Sequence, residues 1–140
     1  FFNPELTLKK GNLSEIKPNN TDLINIKKGI KSLNNLNSHD HIQGLIIRNN
    51  KVIKKENSRG TKKMLQSIDR TKKPEGILIK FPKRNQDLRA DLPTIGLDTF
   101  KDCKKANLKG IVLKSNQNIF MDKNKCVSFA NRNKMFIKVI

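Results

Sequence analysis

The stretch that decides the fold is Gly76-Ile77-Leu78-Ile79-Lys80-Phe81, a nearly continuous apolar run bounded by Pro74 and Pro82. Apolar and polar residues do not alternate within it. Such a run is typical of a strand that is covered on both faces of its sheet. We therefore expect this segment to be a central strand.

The part of the chain that follows alternates between helix and strand patterns. Apolar residues at spacings of three and four predict two helices, and short apolar runs predict the strands between them. The predicted elements are a helix capped by Asp98 that carries Phe100, Cys103 and Ala106 and stops at Gly110, a buried strand over 111–113, a short strand over 118–120, a helix capped by Asp122 that carries Cys126, Phe129 and Ala130, and a strand over 135–140.

The part of the chain before the central strand predicts an amphipathic helix. Leu23, Ile26, Ile30 and Leu33 form one apolar stripe at helical spacing, and Thr21 is the expected N-cap.

A hairpin and a short helix are expected after it. Asn49-Asn50 separates strand patterns over 42–48 and 51–54, and asparagine tolerates positive φ, so the pair predicts a tight turn. Gly60-Thr61 opens a short helical pattern whose first turn offers backbone N–H groups to a phosphate.

The order of these elements indicates the fold class and the domain organisation. Strands and helices alternate through the second half, so we predict an α/β domain with a mixed or mostly parallel sheet and flanking helices. Residues 1–20 are rich in Pro, Asn, Gly and Lys without a sustained period. We expect them to be an extended linker from a missing N-terminal domain, followed by the folded domain over 21–140.

The composition is strongly basic. Lys and Arg number 30 against 12 Asp and Glu, a formal charge of +18. Such a positive charge is typical of proteins that bind nucleic acid or an anionic membrane. However, 24 of the cations are Lys and 6 are Arg, they are scattered along the chain, and Trp and Tyr are absent. Because nucleic-acid readers favour Arg and aromatic platforms, we interpret most of the charge as a bland cationic surface.

Two cysteines, Cys103 and Cys126, do not form a secreted disulfide framework or a four-ligand zinc site. We expect both to be small core residues of a protein in a reducing cytoplasm. The longest apolar stretches, such as 44–47, are far shorter than the roughly 20 residues that span a bilayer, so no transmembrane helix is predicted.

The segment over 82–96 is the most informative for function. It lacks helix or strand periodicity and leaves the carboxyl end of the predicted central strand, where open α/β sheets bind ligands. Asp87 and Asp91 are hard oxygen ligands that suit a divalent metal. The cations able to neutralise phosphate oxygens around them are Lys80, Lys83, Arg84 and Arg89. This set favours phosphoryl chemistry, and the alternative is a solvated loop whose charges pair with one another.

A metal site at His39-Asp40-His41 is a weaker hypothesis. His39 and His41 could share one face of a strand, but no third ligand lies nearby in the sequence. No GxSxG, P-loop, HExxH or GxGxxG pattern occurs, so nucleophilic hydrolase, P-loop and nicotinamide functions have no support from motifs.

At the loop just described, Gln86-Asp87-Leu88-Arg89-Ala90-Asp91-Leu92-Pro93-Thr94-Ile95-Gly96 resembles the signature of the LpxI-type UDP-2,3-diacylglucosamine pyrophosphatases. The resemblance covers essentially the whole chain and corresponds to the C-terminal domain of a two-domain enzyme. Its further matches, in the same order, are Pro4-Glu5-Leu6, Asp40 and Gln43 before the hairpin, Gly60-Thr61 before Met64-Leu65, Lys80 with Pro82-Lys83, residues 106–111, and the closing strand over 136–139.

The resemblance implies an activity and a setting. The family hydrolyses the pyrophosphate bond of UDP-2,3-diacylglucosamine to lipid X and UMP in lipid A biosynthesis, with a divalent metal, usually Mg²⁺. Residues 21–140 are then the C-terminal catalytic domain, expected to be poorly active without the N-terminal domain of the same enzyme. The expected location is the cytoplasm, with peripheral contact at the inner membrane.

The residues and the resemblance together give an expected site. Asp91, which matches the family's essential Asp, and Asp87 are the expected catalytic and metal-binding residues. Arg59 and Lys62 replace both acids of a Glu-Gly-Thr-Asp segment that the resemblance implies, so the segment has no carboxylate at these two positions. The expected substrate-binding residues are Gln43, Gly60, Thr61, Lys80, Lys83, Gln86 and Arg89, and the candidates for an apolar wall, or alternatively for the core, are Phe81, Leu92 and Ile95.

The alternative function is a non-enzymatic cationic module that binds RNA or an anionic membrane surface. Such a module is expected to gather its Lys and Arg on one face and to lose affinity steeply with salt. The enzyme is expected to gather them around Asp91.

Overall fold

The computed structural model describes residues 9–35, 44–81, 94–115 and 119–140. The strands are β1 (Gly11–Asn12), β2 (Gly44–Arg48), β3 (Lys51–Lys55), β4 (Ile77–Lys80), β5 (Thr94–Ile95), β6 (Gly110–Leu113), β7 (Ile119–Phe120) and β8 (Phe136–Val139), and the helices are α1 (Asn20–Asn34), α2 (Gly60–Gln66), α3 (Leu97–Lys105) and α4 (Lys123–Arg132).

Six of the strands form one mixed sheet in the order β1-β8-β6-β4-β2-β3. Strands β4, β6 and β8 are parallel, whereas β2 runs antiparallel to β4, β3 to β2, and β1 to β8. Strands β5 and β7 form a separate parallel pair. The predicted α/β class with a mixed sheet is therefore confirmed.

The predicted central strand is also confirmed. Strand β4 lies between β2 and β6, and all four of its residues are buried. Helix α1 covers one face of the sheet, and α2, α3 and α4 lie on the other. The buried side chains on the α1 side are Ile26, Leu45, Ile47, Ile77, Ile79, Val112 and Phe136, and those of the strands on the other side include Ile46, Leu78, Ile111, Leu113, Ile137 and Val139.

The N-cap of helix α1 lies two residues before the predicted one. Asn19, not Thr21, is the cap: its side chain accepts a hydrogen bond from the Asp22 N–H, and the Asp22 carboxylate accepts one from the Asn19 N–H. This reciprocal capping box satisfies two N–H groups, which a lone Thr cannot do. Of the predicted stripe, Ile26 is buried but Leu23 is 41% exposed.

The hairpin was predicted correctly. Asn49 and Asn50 have φ of 48° and 63°, the left-handed pair that a two-residue turn between twisted strands requires. Strands β2 and β3 pair on either side of it, with one irregularity between Ile46 and Ile47.

The two later helices lie close to where they were predicted, but their ends differ. Helix α3 ends at Lys105, so Ala106 is its C-cap, and Gly110 begins strand β6 instead of ending the helix. Helix α3 begins after an extended Gly96, so Asp98 lies inside the first turn. There its negative charge is attracted by the positive end of the helix dipole. Asp122 does occupy the N-cap position of α4, but its backbone is left-handed at φ 52° and its side chain makes no capping hydrogen bond.

Part of the predicted linker belongs to the sheet. Strand β1 pairs with the edge of β8, and the Leu13 N–H donates to the Ile137 carbonyl at 2.9 Å. The buried Ser14 hydroxyl accepts from the Ile137 N–H at 2.8 Å. The structure thus places the first strand of the sheet before the predicted boundary at residue 21.

Gly110 has no room for a side chain. A Cβ placed there lies 2.5 Å from the ring of Phe136, its partner in β8, and that ring is 1% exposed. We expect Gly110→Ala to lower the free energy of unfolding by about 1–3 kcal/mol, because a packed core cannot yield to the added methyl group. Thermal unfolding measures this, with Gly96→Ala as control, since its Cβ meets nothing closer than 3.8 Å. Equal melting temperatures for the two variants would contradict the expectation.

Both cysteines are core residues, as predicted. Cys103 and Cys126 are free thiols with 0% exposure. Burial, with a smaller contribution from Asp122, raises the pKa of Cys126 to about 11 from 9.0, and burial raises the pKa of Cys103 as well. Among the described helices, none is long and apolar enough to cross a membrane.

The raised pKa values predict a pH-dependent loss of stability. The folded state keeps both thiols protonated, whereas the unfolded state releases their protons above the ordinary thiol pKa. The contribution of the thiols to the free energy of unfolding is therefore complete below that pKa and is lost as the pH rises from it toward the folded-state pKa. Between pH 8 and 10 we expect a loss of about 1.4 kcal/mol per thiol. The measurement is urea unfolding of the wild type and of the double variant Cys103→Ala/Cys126→Ala at both pH values. The pH effects of all other groups are common to the two proteins, so the difference between them reports the thiols alone. A stability difference that stays constant with pH would refute the expectation.

Candidate functional site at the carboxyl edge of the sheet

The parallel strands define one edge of the sheet. Lys80, Leu113 and Val139 end β4, β6 and β8 and lie in register with one another across the three strands. Gly44, the first residue of the antiparallel β2, pairs with Lys80 at the same edge. In open α/β sheets ligands bind outside the carboxyl ends of the strands. We call this region the carboxyl edge.

A buried charged cluster lies at this edge. The Lys80 ammonium is 3.2 Å from the Glu56 carboxylate, and the two residues are only 6% and 4% exposed. Lys80 also donates to the Thr61 hydroxyl, and that hydroxyl donates to the same oxygen of Glu56. Glu56, Thr61 and Lys80 therefore form a closed triangle of hydrogen bonds, which we call the edge triad.

The local backbone explains how the triad is assembled. Glu56 comes directly after β3, and its N–H donates to the Gly44 carbonyl at 2.9 Å, which fixes it beside β2. Gly60 has φ +90°, a conformation that favours glycine, and the turn there starts the seven-residue α2 with Thr61 in its first turn. The connection from β3 to α2 thus brings an acid and a hydroxyl to the end of β4.

The ammonium group of Lys80 uses only part of its hydrogen-bonding capacity within the triad. A lysine ammonium carries three N–H groups. Two of them are used by Glu56 and Thr61, and within the described part of the chain the third has no acceptor. A cation held in this way, in a poorly solvated position, can donate to an anionic oxygen without first giving up rotamer freedom.

Phe81 and Lys114 extend the edge beyond the triad. The Lys114 ammonium lies 5.6 Å from the centre of the Phe81 ring, within the range of a cation–π contact. Phe81 is half-buried and packs against the core on the α1 side. Ile95, the other described candidate for an apolar wall, is fully buried in the opposite core, so its role is packing.

Three of the predicted site residues are described, and all three lie at this edge: Gly60, Thr61 and Lys80. The remaining ones lie outside the described residues, together with the alternative metal motif; they are Gln43, Lys83, Arg84, Gln86, Asp87, Arg89, Asp91 and Leu92, and His39, Asp40 and His41.

The ends of the segment that carries both predicted acids are described. Phe81 lies at the carboxyl edge, and Thr94–Ile95 forms β5 beside β7. The expectation that 82–96 contains no strand is therefore corrected. Two residues are too few for a period-2 pattern to show in the sequence.

The described residues do not by themselves form a metal site. No group of three or more His, Cys, Asp or Glu side chains comes together among them.

Glu56 is the functional candidate that was not predicted from the sequence. It lies in the run Lys54-Lys55-Glu56, where an acid beside two lysines suggests only a surface charge pair. In contrast, the side chains of Arg59 and Lys62, at the positions where the resemblance leads us to expect acids, are exposed. The acid that this connection presents at the carboxyl edge is Glu56.

A second ion pair, buried only on the side of its carboxylate, lies at the opposite edge of the sheet. Lys109, just before β6, is 2.6 Å from Asp22 in the first turn of α1. Asp22 is 5% exposed, so the pair resembles the Glu56–Lys80 pair in chemistry. Because it lies at the amino ends of the parallel strands, it serves as an internal control for the role of the carboxyl edge.

A cationic depression also lies on the described surface. It has a volume of about 360 Å³, lies between the edge strand β3 and α2, and is lined by Lys54, Lys55, Arg59 and Lys63 with uncharged neighbours. Those four side chains have no ion pair within the described ranges. Part of the positive charge is therefore clustered.

Comparison with known proteins places the chain in a family. Residues 9–138 match the model of the LpxI C-terminal domain. A similar protein, the UDP-2,3-diacylglucosamine pyrophosphatase LpxI of Caulobacter vibrioides, is 28% identical over 141 aligned positions, which cover 95% of this chain and 50% of that protein. The chain thus spans about half the length of this relative. Since the family model covers nearly the entire sequence, the chain belongs to the LpxI C-terminal domain family.

Proposed function

We propose that the polypeptide containing this domain hydrolyses the pyrophosphate bond of UDP-2,3-diacylglucosamine to lipid X and UMP, as a step of lipid A biosynthesis. The observation that carries the proposal is the family match over residues 9–138. The similar protein from Caulobacter vibrioides carries this activity in its name, and half of its length corresponds to the present chain.

The edge triad supports a phosphate-binding role for the carboxyl edge. A pyrophosphate carries charge on several oxygens, and hydrolysis increases the charge on the leaving phosphate. Lys80 offers an oriented N–H in a poorly solvated position, where a hydrogen bond to a charged oxygen is stronger than in water. We propose that Lys80 contacts a phosphoryl oxygen of the substrate.

Most of the residues that we propose for the reaction follow Lys80 in the sequence. We propose Asp91 as the catalytic carboxylate, with Asp87 four residues before it, and Lys83, Gln86 and Arg89 as substrate contacts together with Gln43, which precedes β2. The carboxylates of Asp87 and Asp91 are hard oxygen ligands of the kind that Mg²⁺ prefers. A divalent ion held by them would stabilise the charge on phosphoryl oxygens. The proposed setting is the cytoplasmic side of the inner membrane, where a diacylated substrate resides.

The experiment is to incubate the natural full-length polypeptide with UDP-2,3-diacylglucosamine and to follow UMP and lipid X by mass spectrometry. We expect both products in equal amounts, their loss in excess EDTA, and recovery when Mg²⁺ is restored. Intact substrate with Mg²⁺ present would refute the proposed activity. Full turnover in EDTA would refute the metal requirement alone.

A second candidate function is favoured by the cationic depression between β3 and α2. Its four cations could hold the protein at RNA or at an anionic membrane without chemistry. A lysine-rich edge strand also has a structural explanation, because charge on an exposed edge prevents pairing with other chains.

The salt dependence of binding distinguishes these explanations. We expect only weak, sequence-independent RNA binding, lost near physiological ionic strength, because scattered lysines contribute the nonspecific electrostatic term alone. The measurement is fluorescence anisotropy with labelled RNA of two unrelated sequences over a salt titration. Tight binding of one sequence at about 150 mM salt would instead favour the nucleic-acid module.

A further inference from the structure

We infer that Glu56 is a positioning residue for the reaction: it acts through Lys80, holding the ammonium group oriented toward the phosphate at the carboxyl edge. This inference rests on the proposed function and adds a residue that neither the sequence motifs nor the family match assigns. It starts from the geometry of the edge triad.

Glu56 compensates the buried charge of Lys80. Lys80 lies at the end of a fully buried strand and is 6% exposed, so its ammonium is largely removed from water before any ligand binds. Burying an unpaired cation is costly, and a carboxylate in contact offsets that cost. Glu56, 3.2 Å away and 4% exposed, is the partner that allows a charged lysine to persist there.

The edge triad also orients the ammonium group of Lys80. A lysine side chain is flexible and its ammonium rotates freely, so a lone lysine holds a phosphate as an unoriented point charge. Here Glu56 and Thr61 accept two of its N–H groups, and Thr61 in turn donates to Glu56. The triangle determines the direction of the third N–H, and Glu56 is the member that contacts both others.

The ion pair at the opposite edge of the sheet differs from the edge triad. Asp22 and Lys109 form a similar pair, but Asp22 also belongs to the capping box of α1 and Lys109 is 31% exposed on its side chain. That pair has a structural explanation in the start of a helix. Within the described chain, Glu56 caps no helix, and its charge is directed at the end of the central strand.

The test uses substitutions that keep shape and remove charge. Glu56→Gln retains an oxygen that accepts from Lys80 and Thr61, and we expect kcat/KM of the full-length protein to fall about 10- to 100-fold. The melting temperature is expected to fall too, because the buried Lys80 ammonium loses its counter-charge, so kcat/KM is measured well below it. The control is Asp22→Asn, which neutralises the other buried carboxylate and is expected to leave kcat/KM within about twofold.

A double-mutant cycle separates positioning from a merely structural role. If Glu56 acts through Lys80, adding Glu56→Gln to Lys80→Met lowers kcat/KM no further. If Glu56 only supports the fold, Glu56→Gln lowers the melting temperature and leaves kcat/KM near the wild-type value, which would overturn the inference. A further loss in the double variant as large as in the wild-type background would overturn it too.

A binding measurement keeps this test separate from that of the proposed function. Calorimetry with inorganic pyrophosphate needs no turnover, and we expect Glu56→Gln to weaken its binding about tenfold while Asp22→Asn does not. If the wild type fails to hydrolyse the lipid substrate but shows this difference, the proposed activity fails and the positioning role stands. Equal pyrophosphate affinity of the wild type and Glu56→Gln overturns the positioning role, whatever the activity.

Discussion

Replacing Asp91 by Ala in the full-length polypeptide is expected to lower kcat by roughly 10²- to 10⁴-fold or more, with little change in fold or in substrate affinity. The residue lies in the segment that follows Phe81 in the sequence, and the sequence resemblance leads us to expect that it is the family's essential Asp. A carboxylate that orients the attacking water acts mainly in the transition state, so its loss affects kcat more than binding.

The measurement is kcat at saturating Mg²⁺ together with the melting temperature, with Asp87→Ala as the matched variant. If Asp91 were only a charge partner of a neighbouring cation, its removal would change stability by less than about 1 kcal/mol and leave kcat within a few-fold. Near-normal turnover of Asp91→Ala rejects the assignment. A larger defect in Asp87→Ala moves the main catalytic role four residues upstream.

The second large effect is expected at Lys80. Lys80→Met removes the oriented N–H of the edge triad, and we expect kcat/KM to fall by roughly 10²- to 10³-fold, the range found when a donor to a developing charge is lost. The variant also leaves the buried Glu56 carboxylate without its lysine, which costs about 3–5 kcal/mol of stability.

Stability and catalysis can be separated at this position. Lys80→Met/Glu56→Gln removes both charges and is expected to regain most of the stability without regaining turnover. Lys109→Met breaks the Asp22–Lys109 pair and should lower stability while leaving kcat/KM nearly unchanged. Near-normal kcat/KM in the double variant would mean that Lys80 contributes only to folding.

The sequence predicted the fold well where the local pattern is strong. The unbroken apolar run at 77–79 can be buried on both faces only in the middle of a sheet, and β4 lies there. Asn49-Asn50 predicted the hairpin because two consecutive left-handed residues match the twist of the strands.

The features that were missed depend on contacts between distant residues. Strand β1 pairs with β8 across more than a hundred positions, and no local period in a two-residue strand reveals it. The N-cap of α1 was misplaced because Thr21 and Asn19 both suit the position, and the reciprocal bond with Asp22 decides between them.

Only part of the candidate site was predicted, because it too depends on contacts between residues that are distant in the sequence. Gly60, Thr61 and Lys80 were chosen from the sequence, and the structure brings Thr61 and Lys80 into contact. Glu56 was missed because its local neighbours are exposed lysines, whereas its functional partner is 24 positions away in the chain. Whether a single acid is buried depends on the topology of the fold. The lysines next to Glu56 in the sequence give no information about it.

Hydrogen exchange of the full-length Asp91→Ala variant, with and without UDP-2,3-diacylglucosamine, tests most directly whether the carboxyl edge binds the substrate. The variant is expected to keep the substrate intact during the measurement. Our account predicts that protection appears in the peptides containing Glu56, Lys80 and Phe81, and that those containing Gly76 and Lys109 at the amino ends of the same strands are unchanged. Protection at the amino ends, or only at Lys54 and Lys63 in the cationic depression, would contradict it.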